Sequence, residues 1–172
     1  MTSGPPPGRD RDSAGRPRNA RPRDALGRPL RRGDPGDAPI PDDLLLPPAE
    51  ALRLAQHLLD TGRPFHAHEV LEASWKAAPP EERDLWQGLA QIAVGLTHAL
   101  RGNARGAAAL LRRGRQKVAG YGESGPHGVP AAAIARSADD LAARIARDGV
   151  SGVTAGMIRL SPDQVSNAET DT

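Results

Sequence analysis

The chain has no cysteine, and its 172 residues include only two Trp, one Tyr and one Phe. Without thiols there is no disulfide framework, thiolate nucleophile, zinc ribbon or cysteine-ligated iron–sulfur cluster. Any metal site must draw on His, Asp or Glu. No run of about 18 apolar residues occurs, and the N-terminal residues lack the apolar core of a signal peptide. A soluble protein of the cytoplasm is therefore expected, with no membrane partner. The sequence also lacks a phosphate-cradling G-x-x-x-x-G-K, a Rossmann glycine pattern and a G-x-S-x-G nucleophile.

Glycine and proline are plentiful, at 19 and 17, while the hydrophobic share is only 38%. They concentrate at the start. Residues 1–43 hold nine Pro, six Gly, nine Arg and seven Asp, a composition that buries too little apolar surface to offset chain ordering. This segment reads as a disordered arm in which Arg-Pro pairs begin at Arg16, Arg21 and Arg28. Such an arm is a solvated linker, or it docks on an acidic surface, a nucleic acid or its own domain; the interleaved aspartates weaken the nucleic-acid version. Residues 44–149 read as the folded domain and residues 150–172 as a loosely ordered tail.

Within the folded part the apolar residues recur every three or four positions, which predicts an all-α fold, a bundle of about five helices. Prolines open the helices and glycines close them. The first helix starts at Pro47 or Pro48 and stops at Gly62. A second runs from Pro64 to about Ala77, a third from Pro80 to near Gly102, a fourth from an Asn103 cap to Gly120 or Gly122, and a fifth from Pro130 to Gly149. Leu85 to Leu100 contains no charged residue, although 26% of the chain is charged. A helix without charge on any side belongs in the middle, so the second and third helices form the central hairpin.

That hairpin brings polar residues into the interior. On the third helix Gln87, Gln91 and His98 share one stripe. On the second, Phe65, His68, Leu71, Glu72 and Trp75 fall on the core-facing side. Counting outward from Pro79 and Pro80 sets Glu72 level with Gln87, His68 with Gln91, and Thr61 or Phe65 with His98. Buried amides and imidazoles need partners, because leaving one unpaired costs about 1–3 kcal/mol. Three readings stay open: a structural His-Glu-Gln network, a metal-free acid/base pair with Glu72 orienting His68, and a divalent-metal site. In the last, His68 and Glu72 are the ligands and Glu69, roughly 60° away on the helix, is a further one. Trp75 and Trp86 flank the turn as core anchors or as the lip of a pocket. His66 points away from the stripe, and His57 and His127 have no evident partner.

Charge is uneven. Residues 101–117 net +6 with no acid, between stretches that each net −3. Arg101, Arg105, Arg112, Arg113, Arg115 and Lys117 form either a solvated face or a patch for an acidic protein or nucleic acid.

The stretch FHAHEVLEASW, followed by LWQGLAQIAVGLTHALRGNARGAAALLRRG, resembles the domain of unknown function 309 family, small helical bundles of bacteria and archaea. His68, Glu72 and Trp75 stand in that family's H-x-x-x-E-x-x-W signature. The resemblance covers roughly residues 49–117 and implies a helical domain whose motif binds metal, with no established reaction. The reading that follows is a binding module rather than an enzyme, holding a metal ion or small polar ligand at His68, Glu72 and Gln91, beside Gln87, His98 and Trp75. The alternatives are an interaction module using the basic face and the arm, and a metal-assisted hydrolase.

Overall fold

Proline starts and glycine stops delimit five helices close to the expected boundaries in the computed structural model, which describes residues 21–41 and 43–161. They are α1 (Pro48–Asp60), α2 (Pro64–Ala77), α3 (Arg83–Leu100), α4 (Ala104–Ala119) and α5 (Ala131–Asp148). Short 3₁₀ turns at Pro80–Glu82, Pro126–Gly128 and Ala155–Met157 complete the order. No strand occurs among the described residues, only two isolated bridges within residues 23–37. Asn103 caps α4 as expected, its Oδ1 accepting from the Gly106 amide at 2.9 Å, which satisfies one of the N–H groups orphaned at a helix start.

The uncharged helix α3 lies at the centre, packed against α2 on one side and α4 on the other. Leu85, Trp86, Leu89, Ile92 and Leu96 are all buried. Each large side chain removed from water contributes about 1.5–3 kcal/mol. The α3–α4 crossing is close because glycines meet there. A Cβ on Gly114 would fall 2.6 Å from the Gly88 carbonyl oxygen and 2.7 Å from Ile92 Cγ1.

Two segments without helical period nevertheless pack on the bundle. The tail expected to be loosely held from residue 150 is a correction: Val153, Ala155, Ile158 and Leu160 are buried. The Leu160 amide donates to Gln56 Oε1 at 2.7 Å, and Arg159 pairs with Asp60 at 2.9 Å. Their spacing fits neither a helix nor a strand, so periodicity does not reveal them. Residues 162–172 lie outside the described residues.

Of the expected arm, residues 1–20, including Arg16, and residue 42 lie outside the described residues, while residues 21–41 fold back as a strap. Asp24 Oδ1 accepts from the amides of Leu26 and Arg28 at 2.9 and 2.8 Å, closing a turn. The strap meets α2 at Phe65. The Arg23 guanidinium sits 5.3 Å from the Phe65 ring centroid. Gly27 lies so close that any Cβ would enter the ring, so only glycine fits there. Asp37 pairs with Arg63 at 2.8 Å, and Arg101 donates to the Leu26 carbonyl.

Candidate functional site

The short Pro79-Pro80 break turns the chain back on itself and sets α2 beside α3. His68, Glu72 and Trp75 of α2 and Gln87, Ala90, Gln91 and Val94 of α3 line one cavity of about 200 Å³. The i, i+4 spacing places His68 Nε2 at 3.3 Å from Glu72 Oε2, and one turn further Lys76 Nζ reaches Glu72 Oε1 at 2.9 Å. Both groups remain partly accessible, with side chains 24% and 32% exposed. A ligand can therefore approach them.

Two buried atoms among the lining residues have no hydrogen-bond partner, His68 Nδ1 and Gln91 Oε1. Buried polar atoms are nearly always paired, which makes both exceptions informative. Burial pushes the His68 imidazole below its ordinary value near 6.5; the Glu72 carboxylate opposes this and Lys76 adds to it. The ring is thus neutral at neutral pH. The carboxylate beside Nε2 favours the proton there, leaving a lone pair at Nδ1. Glu72, Gln91 Oε1 and His68 Nδ1 are then all electron-pair donors.

The remaining expected site residues lie apart. His98 shares the stripe of Gln87 and Gln91 but stands about 10 Å further along the axis. It is not in the cavity: its Nδ1 accepts from Asn103 Nδ2 at 2.9 Å, joining the end of α3 to the cap of α4. The same outward count that sets His68 level with Gln91 puts His98 level with Thr61 or Phe65, about two turns beyond Gln91. Glu69 lines a separate cavity of about 170 Å³ with Ile40, Pro41, Glu72, Ala73 and Lys76, so Glu72 touches both spaces. Among the described residues no group of three or more His, Asp and Glu stands ready to hold a metal ion.

The two tryptophans divide the roles expected of both. Trp86 is buried and donates from Nε1 to Glu82 Oε2 at 3.1 Å, whereas Trp75 is a half-buried wall of the cavity. His127, with no evident partner in the sequence, donates from Nε2 to the same Glu82 oxygen at 2.8 Å. That contact spans 45 positions and leaves no local trace in the sequence. His66 is buried at 3% exposure beneath the strap, with an unpaired Nδ1. Burial lowers its pKa and Arg63 adds to this, while Asp37, Asp24 and the Ala25 carbonyl oppose it. In the basic stretch, Arg101 and Lys117 are used within the fold, the latter against Asp84 at 2.6 Å.

These features define an all-α protein built on a helical hairpin that carries an open cavity lined by both polar and apolar side chains. Residues 52–110, about a third of the chain, match the model of the family described as a domain of unknown function (DUF309). The chain is also 46% identical over 48 residues to the uncharacterized protein YpuF of Bacillus subtilis (strain 168), a stretch covering 27% of this chain and 28% of that protein. Less than a third of the relative's length is therefore spanned. No solved structure matches the chain. No helix among the described residues is long and apolar enough to cross a membrane.

Proposed function

We propose that the α2–α3 cavity binds a small cation, with His68, Glu72 and Gln91 supplying electron pairs, Gln87 a further amide and Trp75 a flat wall. The observation that carries this reading is the pair of buried, unpartnered acceptors, His68 Nδ1 and Gln91 Oε1, lining the same space as a carboxylate. Acceptors alone cannot satisfy one another. They need a hydrogen-bond donor or a Lewis acid between them, and the Glu72 charge favours one that is positive. A volume of about 200 Å³ is that of several waters at roughly 30 Å³ each, enough for a hydrated divalent metal ion or a short alkylammonium.

For a metal ion the donor set fits a weakly held ion: one imidazole, one carboxylate and one amide oxygen, with water completing the shell. Bound there, the ion would supply positive charge to the lone pairs. His68 enters binding already neutral, so no proton need be displaced from it. For an ammonium ligand the same three acceptors take its N–H groups, and the Trp75 face adds cation–π attraction.

Calorimetric titration of the purified chain separates these sources, one arm using zinc or manganese chloride and the other putrescine. One site per chain is expected in one arm, with affinity falling at least about tenfold in Glu72→Gln and His68→Ala, since each removes a charge-assisted contact. Lack of heat in both arms, or binding unchanged in both variants, would contradict the reading.

A further inference from the structure

With Arg101 and Lys117 engaged in the fold, four cations of the basic stretch remain. Among the described residues, the side chains of Arg105, Arg112, Arg113 and Arg115 make no hydrogen bond or ion pair. Helix α4 carries no acidic residue to neutralise them. Two of the four are set for recognition. Arg105 and Arg112 are seven residues apart, on nearly the same line of α4 and about 10 Å apart along its axis. They border an open groove of about 500 Å³ between α4 and α5, floored by Ala104, Ala108, Ala109, Ile145 and Ala146.

We propose that this groove docks an acidic amphipathic helix of a partner protein. The floor is mostly methyl groups, so a helix can lie close against it, as ridges settle into grooves between packed helices. Carboxylates seven residues apart on the incoming helix meet the two guanidinium forks, whose planar geometry suits bidentate pairing. Apolar side chains between those carboxylates cover the alanines, the recognition mode of a helix in a groove. Nucleic acid fits the surface less well. The four aromatics of the chain, Phe65, Trp75, Trp86 and Tyr121, all lie outside α4 and α5, so single strands find no stacking platform. Duplex affinity rests on many phosphate contacts, and an alanine floor contributes nothing to them.

The test uses fluorescence anisotropy with three labelled probes: a synthetic amphipathic helix with glutamates seven residues apart and leucines between them, polyglutamate, and single-stranded oligothymidine. The amphipathic helix is expected to bind most tightly and to weaken as salt rises. Affinity should fall about tenfold or more in R105E/R112E and much less in R113E/R115E. Ala109→Trp fills the groove without changing charge and should also block binding, while circular dichroism melting confirms that each variant folds. Equal binding of polyglutamate or oligothymidine would overturn the proposal, as would an Ala109→Trp variant that binds normally. So would concentration-dependent self-association of the wild-type chain that R105E/R112E abolishes, because the occupant would then be a second copy.

Discussion

In the proposed cation site, Gln91 gives up stability for an acceptor that the ligand would use. Its Oε1 is buried without a partner, a condition costing about 1–3 kcal/mol. Gln91→Met, similar in volume and without the acceptor, should raise stability by about 1 kcal/mol in urea unfolding and weaken cation binding. His68 makes the complementary case. Its Nδ1 has no partner to lose, and Glu72 keeps Lys76, so His68→Ala should change stability by less than about 1 kcal/mol while weakening binding. If His68 only tied two helices together, the loss would reach several kcal/mol. The pH dependence has a definite sign. Because burial lowers the His68 pKa from its ordinary 6.5, the unfolded chain takes up a proton first as pH falls. Stability is then whole above about pH 6.5 and declines below it until the folded-state value is passed. Urea midpoints followed downward from neutrality should show this slope, and His68→Ala should lessen it; an unchanged slope would contradict the assignment.

Among the elements, the helices were the legible part of the fold, because Pro48, Pro64, Gly62 and Gly149 mark boundaries through local backbone chemistry. Pairings between distant elements were not legible. At the α3–α4 crossing Gly88 and Gly114 look like poor helix formers in the sequence, yet they allow the backbones to meet. Gly114→Ala gains roughly 1 kcal/mol of helix propensity but forces a methyl into the Gly88 carbonyl, and a net loss of about 1–3 kcal/mol is expected. The α2–α3 turn is tied to the α4–α5 loop in a similarly hidden way, through Glu82. Burial raises the Glu82 carboxyl, but hydrogen bonds from His127 and Trp86, with the His127 charge, outweigh it and hold the group below its ordinary 4.5. The stability this contributes is present above that value and is lost as pH falls through the folded-state value. Glu82→Gln should therefore flatten the acid limb of the stability profile, and an unchanged limb would show that the tie is idle.

At the scale of the molecule, the cavity residues were readable in outline because H-x-x-x-E on one helix and Gln87 and Gln91 on the next obey the register of a short hairpin. What covers the bundle elsewhere was not readable. The strap over Phe65 and the chain through Leu160 bind through turns and single side chains, with no period to betray them. Cutting the chain before residue 44 removes the Arg23–Phe65 and Asp37–Arg63 contacts and should destabilise by about 1–2 kcal/mol. The measurement that bears most directly on the site is the nitrogen spectrum of the His68 imidazole, recorded by NMR at neutral pH with and without saturating cation. A proton on Nε2, a bare Nδ1, and an Nδ1 resonance that moves on titration are the predicted result. A proton on Nδ1, donated to Gln91 and unmoved by any cation, would instead make the hairpin's polar residues a closed structural network.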